Sequence, residues 1–364
     1  LNNNMKICLI GKNLTNFVLA KNLSNKNLNV DIVFDSNREN KLSKRTLAIS
    51  KDNYNFLSTV NKQMKIPAWP VKNIKIYSDK NISKELLEFK NKNKESFFLI
   101  KYVDIFNSFE KFCKISKKIK LKKISYKSQS KQIFLEKNYK LIINSDTKNN
   151  FNYKKIEKNY NAIAYTAVLD HEIKKKNSEA SQIFTKYGPL AFLPLAETKT
   201  SIVFSISNNN KIDENQLFDL IKKYNFFYKI KKISKFEKAN IKFFMPRSYL
   251  HKNTLFFGDI LHTIHPLAGQ GFNMTIRDIK ILSSLIDEKI ELGLELDESI
   301  FQDFQRKTKH LNYTFGIGID FIHEFFKIDN KTNSLLSSSI FSILGKNKIL
   351  KKYANLIADK GIDI

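Results

Sequence analysis

The first apolar cluster of the chain is a strand-sized run, Lys6 to Ile10, that stops at Gly11. From Asn16 to Leu23 the apolar positions return at helical spacing, at Phe17, Leu19, Ala20 and Leu23. Val30 to Phe34 is a second strand-sized run, closed by Asp35. This succession predicts a βαβ unit. Such a unit aims the N-terminus of its helix at an anionic group, and it is the opening of a dinucleotide-binding fold.

Further along, the pattern changes. Ile74 to Tyr77 and Phe97 to Lys101 predict strands, and Asp104 to Ile119 a helix. The alternation through Ile124, Ile133-Phe134 and Leu141 to Ile143 predicts a hairpin-like stretch. Ala162 to Leu169, Ile183 to Thr185, Leu190 to Leu195 and Ile202 to Ile206 predict successive strands, with a turn signal at Gly188-Pro189. Strands in series without helices between them predict an antiparallel sheet, separate from the βαβ opening. Gln216 to Lys223 predicts a helix, Leu255 to Gly258 a strand, and Gln270 to Glu291 a long helix. From Phe301 to Ile364 the spacing is mostly helical, as at Phe321, Ile322, Phe325 and Phe326.

The expected fold class is therefore α/β. A Rossmann-like domain is assembled from the discontinuous segments 1–72, 98–160 and 248–295. An antiparallel-sheet substrate domain comprises 73–97 and 161–247, and 296–364 form a helical C-terminal region.

Composition narrows the picture. With 364 residues, 42% hydrophobic, the chain can bury a core without staples, and its 30 Phe and 14 Tyr exclude wholesale disorder. Cys8 and Cys113 are too few for a disulfide framework or a four-thiolate metal site. His262 and His265 lack partners at ligand spacing, so no metal is expected. No signal peptide is expected, and no stretch reaches the roughly 20 apolar residues of a membrane span. The expectation is a cytoplasmic chain.

The 63 Lys+Arg against 35 Asp+Glu give a net charge of +28. A balance that basic ordinarily points to nucleic acid or an anionic membrane surface. Here the basic residues are scattered and accompany Asn-rich runs such as Asn2-Asn3-Asn4 and Asn208-Asn209-Asn210. Lys, Asn, Ile and Phe share A/T-rich codons, so much of the excess is compositional background. No nucleic-acid partner is expected.

The most informative run extends from Gly258 to Met274 and contains His-Thr-Ile-His-Pro-Leu-Ala-Gly-Gln-Gly at 262–271. A strand delivers Asp259, a Pro-containing loop follows, and Gly269-Gln270-Gly271 opens a helix. Glycines there let backbone N–H groups approach a ligand, and the helix dipole favours negative charge. The run resembles the second flavin-binding motif of the class A FAD-dependent aromatic hydroxylases, the para-hydroxybenzoate hydroxylase fold. It is most similar to the branch acting in ubiquinone biosynthesis. Lys44 to Ser50, Phe184 to Leu195 and Asp320 to Phe326 resemble further segments of that family, in the same order.

The resemblance implies bound FAD, NAD(P)H as co-substrate, O2, and a polyprenylated phenol as the ring to be hydroxylated. It places Asp259 at the ribityl–pyrophosphate region, Pro266 on the substrate side of the isoalloxazine ring, and Gly269, Gln270 and Gly271 at the flavin pyrimidine edge. Gly258 and Asn273 belong to the same motif, and Arg45 is expected to reach the cofactor. A prenylated substrate implies a peripheral position at the inner face of a membrane, an anionic membrane surface as a contact, and quinone-biosynthesis proteins as partners.

Two segments depart from the family. Its G-x-G-x-x-G becomes Gly11, Asn13 and Asn16, so only the tight-turn glycine remains. Its Asp-Gly pair becomes Asp146-Thr147. Gly11, Asn13, Asp35, Arg45 and Asp146, with Gly258, Asp259 and Asn273, are the cofactor-binding candidates. Pro266, Gly269, Gln270 and Gly271 are the catalytic ones. The principal expectation is an aromatic-ring monooxygenase. The alternative is a degenerate, non-catalytic homologue serving as a scaffold in a quinone-biosynthesis complex.

Overall fold

A computed structural model of the chain describes residues 6–35, 43, 45–79, 82, 85–90, 95–124, 135, 138–147, 154–210, 212–265 and 271–332. Among these residues the strands form three sheets. The first has the spatial order Leu250–His251, Thr254–Phe256, Leu141–Asn144, Lys6–Ile10, Asn29–Asp35, Ile119–Ile124. All neighbours are parallel except the Leu250–His251 and Thr254–Phe256 pair. Lys6–Ile10 sits centrally and is buried on both faces, which is why it reads as an unbroken apolar run. Ile7 and Leu9 pack under the helices Leu14–Asn25, Tyr102–Ile115 and Gly271–Glu291. Cys8 and Ile10 face the opposite side, with Val33, Leu135 and Tyr139.

Among the described residues, the two ends of the predicted hairpin-like stretch do not pair with each other. Ile119–Ile124 pairs with Asn29–Asp35, whereas Leu141–Asn144 pairs with Lys6–Ile10 on the other side. Alternation marks a strand but does not choose its partner, and parallel pairing with the central strands buries both segments better than pairing with each other. Ile133 and Phe134 lie outside the described residues. The predicted helix Asp104 to Ile119 is shorter and starts earlier, at Tyr102–Ile115, with Ile119 already in the following strand.

The second sheet runs Ile230–Ile233, Lys155–His171, Lys199–Ser207, Gly188–Ala196, Glu179–Thr185, Asn73–Ser78, Leu87–Lys90. Glu237–Pro246 also pairs with the long strand Lys155–His171. The pairing is antiparallel throughout except between Asn73–Ser78 and Glu179–Thr185, two segments distant in sequence. The helix Glu214–Tyr224, started by a capping box of Asp213 and Gln216, lays Leu217, Ile221 and Tyr224 on one face of this sheet. A third, small sheet of Thr46–Ser50, Phe97–Lys101 and Trp69–Val71 stands between the other two. Its Ala48, Val71, Phe97 and Leu99 pack toward Ala180, Leu193 and Leu195 of the second sheet.

The last described helix, Ser299–Thr332, is about 50 Å long at 1.5 Å per residue. Phe301 and Phe304 anchor its start in the core of the first sheet. Phe315 joins Tyr160, Ile241, Phe243 and Met245 of the second. The helix thus straps the two sheets together. The predicted helical continuation from 333 to 364 lies outside the described residues.

Candidate active site

The tip of Lys6–Ile10 is a tight turn at Gly11, whose φ of +113° a side chain rarely adopts. A Cβ there would also come within 3.1 Å of Asp146 Cβ and 3.0 Å of Asn13 Nδ2. The helix Leu14–Asn25 follows, with its N-terminus at a small cavity of about 230 Å³ lined by Gly11, Asn13, Asp35, Arg45, Asp146 and Asp259, among others. Five of the candidates met from sequence, Gly11, Asn13, Asp35, Arg45 and Asp146, are thus brought together with Asp259 in one polar cradle.

The two asparagines that replace family glycines are built into this turn. Asn13 is the N-cap: its Oδ1 accepts from Asn16 N at 3.0 Å, and its Nδ2 donates to Ser145 O at 3.1 Å and Ser145 Oγ at 2.9 Å. Asn16 is fully buried, and its Nδ2 donates to Ile10 O at 2.9 Å and Gly11 O at 2.7 Å. A side chain at the third glycine position fits because it bonds the strand-end carbonyls that it would otherwise crowd. The Asn13 cap occupies one of the N–H groups that such a helix start offers to a phosphate.

The cradle opens into a larger chamber of about 810 Å³ between the second and third sheets. Both cavities share Ser43, Arg45, Asp259 and Phe272 as lining residues. Leu47, Leu99, Ala164, Ala180, Leu193 and Ile241 give the chamber mostly apolar walls, while Lys235, Lys238 and Lys242 stand exposed at its rim. At the junction the Arg45 guanidinium lies 4.8 Å from the ring centre of Tyr102. Burial pushes the Tyr102 phenol up, and Arg45 pulls it back. Asp259 sits on the turn Gly258–Ile260 after the strand Thr254–Phe256. Gly258 has φ +64°, and an added Cβ would lie 3.0 Å from Thr15 Cγ2 and 3.1 Å from Thr15 Oγ1. That contact lets the turn lie against the first helix.

Gly271 opens the helix Gly271–Glu291 and lines the chamber, with open space where a Cβ would project. Pro266, Gly269 and Gln270 lie outside the described residues. Asn273 is placed differently from the expectation. Its Oδ1 accepts from Ser50 N at 3.0 Å and Asn53 Nδ2 at 3.1 Å, and its Nδ2 donates to Ala48 O at 2.8 Å. It ties the helix start to the third sheet and lines neither cavity.

Two histidines that carried little weight in the sequence also line the chamber. His262 Nε2 bonds Asp278 Oδ2 at 2.8 Å, with both side chains fully buried. Asn312 Nδ2 reaches both Asp278 oxygens at 3.3 Å and Tyr249 Oη at 3.2 Å. Burial and the Asp278 charge push the Tyr249 phenol far up. This network locks the loop after Asp259 to the two long helices. His265 contacts His323 and Tyr160 through its ring face and edge. No spacing links these residues in sequence, since the last helix returns to the chamber only in the folded chain.

The cradle and chamber fit an elongated cofactor with a charged phosphate part and a flat ring part. Gly11 and the N-terminus of Leu14–Asn25 would face the phosphates, Asp35 a ribose, and Arg45, Asp259 and Gly271 the stretch from pyrophosphate to ring. The Asn13 side chain, which caps this helix start, would compete with the phosphates for the Asn16 N–H. A Rossmann-like sheet carrying this cradle, joined to a second sheet that walls the chamber, defines the fold of the class A flavin hydroxylases.

Comparisons with known proteins agree. The squalene epoxidase family model matches residues 214–357. The chain is 32% identical over 80 residues to the mitochondrial ubiquinone biosynthesis monooxygenase COQ6 of Dictyostelium discoideum, covering 22% of this chain and 16% of that protein. To COQ6 of Danio rerio it is 23% identical over 245 residues, 56% of this chain and 50% of that protein. The chain spans about half the length of the curated relatives that it matches over longer stretches. The crystal structure of p-nitrophenol 4-monooxygenase PnpA from Pseudomonas putida DLL-E4 superposes with a TM-score of 0.76 at 9% identity, covering 99% of this chain and 100% of that one. Klebsiella pneumoniae HpxO, solved with FAD and uric acid, gives 0.71 at 10% identity, covering 97% of both chains. The chain has the fold of the class A flavin hydroxylases and is similar in sequence to the ubiquinone-biosynthesis hydroxylases.

Proposed function

We propose that the protein is an FAD-dependent monooxygenase that hydroxylates an aromatic ring of a ubiquinone precursor, a polyprenylated phenol, with NAD(P)H and O2. The observation that carries this reading is the meeting of a polar cradle and an apolar chamber at Arg45 and Asp259. FAD, when bound, supplies the redox chemistry that activates O2. The chain's own residues bind, orient and exclude water. The helix start at Leu14 and the turn at Gly11 favour the phosphates, Asp35 a ribose hydroxyl, and the helix start at Gly271 negative charge on the ring system. The apolar walls take the substrate. At about 0.8 kcal/mol per buried CH2, one five-carbon prenyl unit contributes on the order of 3–4 kcal/mol of binding.

No helix among the described residues is long and apolar enough to cross a membrane. Attraction of the basic surface to anionic lipid, and contact with other quinone-biosynthesis proteins, belong to the same proposal. So does a cytoplasmic chain working at the inner membrane face.

Asn13 favours a second reading, a non-catalytic scaffold, because it caps the N–H that a phosphate would take. One experiment separates the two. The purified chain, incubated with FAD and desalted, is expected to show flavin absorbance and substrate-stimulated NAD(P)H oxidation. A colourless protein that takes up no FAD would leave only the scaffold.

A further inference from the structure

The wall that the second sheet gives to the chamber carries a side-chain amide that the fold does not use. The strand register sets Gln182 opposite Ala191, Ala191 opposite Val203, and Val203 opposite Thr166. Directly opposed residues share a face of a sheet, so these four side chains form one row across four strands. All four line the chamber. The residues that alternate with them, such as Ile183, Leu190, Phe192 and Phe204, face the other way and pack under the helix Glu214–Tyr224.

Gln182 is 9% exposed. Among the described residues its carboxamide has no hydrogen-bond partner, yet neither of its polar atoms is enclosed. Both His265 nitrogens and His262 Nδ1, by contrast, are enclosed and out of a ligand's reach. The surface left to Gln182 opens on the chamber that it lines. Other buried amides nearby are spent inside the protein. Asn273 bonds Ser50, Asn53 and Ala48, Asn177 donates to Ala196 O at 2.8 Å, and Asn312 reaches Asp278 and Tyr249. Among the described lining residues Gln182 is the one buried amide, since Asn240 is exposed.

The amide donates through Nε2 and accepts through Oε1, and a hydroxyl, which does both, matches it. A carboxylate would use only the donor and lie against Ala191 and Val203, away from the lysines at the solvent-exposed rim. Thr166, the other polar side chain of the row, is three strand spacings or about 14 Å off along the backbone, too far to share one hydroxyl. We propose that Gln182 is a specificity-determining residue of the chamber: it hydrogen-bonds the ring hydroxyl of the phenolic substrate, so that the ring lies over Ala191 and Val203 with a fixed edge toward the cofactor site. This rests on the chamber being the substrate site.

The test compares para-pentylphenol with its methyl ether, para-pentylanisole, by calorimetric titration of the full chain with and without FAD. FAD affinity is measured separately by flavin fluorescence. The wild type is expected to prefer the phenol about tenfold, the worth of one hydrogen bond at 1.4 kcal/mol per decade. Gln182→Met, nearly the same in shape, is expected to lose that preference while ether binding, FAD affinity and Tm keep their wild-type values. Gln182→Glu, which keeps an acceptor at the same reach, is expected to retain part of it. A Gln182→Met variant that keeps the wild-type ratio would overturn the assignment. So would a fall of several degrees in its Tm, which would show the amide already spent within the protein. A loss of FAD affinity with the ratio unchanged would overturn it too, by placing the bond on the cofactor. Absence of FAD binding in the wild type would defeat the monooxygenase reading, yet the phenol-to-ether ratio of the FAD-free chain would still decide the role of Gln182.

Discussion

Replacing Asn13 with glycine should make the protein less stable and bind FAD more tightly. The Asn13 Oδ1 accepts from Asn16 N and lies within reach of the Ser145 hydroxyl, and its Nδ2 donates to Ser145 O and Ser145 Oγ. Exchanging an Asn N-cap for Gly costs only a few tenths of a kcal/mol. Losing the two bonds to Ser145 costs about 1 kcal/mol each. Together the FAD-free protein should lose roughly 2–3 kcal/mol, a fall of about 5 °C in Tm at some 2 °C per kcal/mol. The same change frees the N–H of Asn16 and clears space at the start of the helix. A bond from that N–H to a charged phosphate contributes about 1.5–3 kcal/mol, so FAD should bind on the order of 10–100 times more tightly. Flavin fluorescence titration measures the affinity, and thermal melts with and without FAD measure stability. Excess FAD should raise the variant's Tm by more than the wild type's, because ligand stabilisation grows with [L]/Kd. A folded Asn13→Gly protein that binds FAD no better than the wild type would refute the idea that the cap competes with the phosphates.

Gly258→Ala should destabilise by about 1–3 kcal/mol in chemical denaturation, because its φ is +64° and the new Cβ would press on Thr15. An unchanged midpoint would mean that the turn relaxes freely. Asp278→Ala should cost about 1–3 kcal/mol for each stranded donor, since it removes the acceptor of His262 and Asn312 together. A loss below 1 kcal/mol would show that the network is not stabilising. Stability should also fall in mild acid through His265. The unfolded chain protonates this histidine below its ordinary value of 6.5, and the folded chain only near 2. The unfolded state therefore binds more protons between those values, and stability is fully present only above about pH 6.5. At about 1.4 kcal/mol per pH unit, roughly 2 kcal/mol is lost on reaching pH 5. His265→Phe should flatten that part of the pH–Tm curve, and a parallel slope in wild type and variant would contradict the assigned burial.

How far the site could be read from sequence depended on the distance over which its parts communicate. Gly11, the helix start and Asp35 lie within one βαβ unit, where hydrophobic period and turn chemistry are local properties. The run after Gly258 was legible because strand, turn and helix follow directly from one another. The strands at Ile124 and Leu141, expected in one hairpin-like stretch, do not pair with each other among the described residues, because two short apolar strands carry no label for their partners. The central strand Lys6–Ile10 and its neighbour Asn29–Asp35 take them instead. Asn13 and Asn16 stood out in sequence as lost glycines. Only the folded turn shows that their amides bond Ser145, Ile10 and Gly11, because the acceptors include carbonyls that sequence does not distinguish.

By itself, then, the sequence determined the α/β class, the βαβ opening and the neighbourhood of a flavin-type motif, all of which rest on interactions between residues near in the chain. The tertiary structure alone decided that Asn273 is a strut between a helix and the third sheet, and that His262 rests on Asp278. It also decided that His265 stands buried against His323 and Tyr160. The contact of His265 with His323 arises where the helix Ser299–Thr332 crosses from one sheet to the other. Burial and pairing, which determine what a histidine can do, are properties of that crossing and not of the residue or its neighbours in the chain.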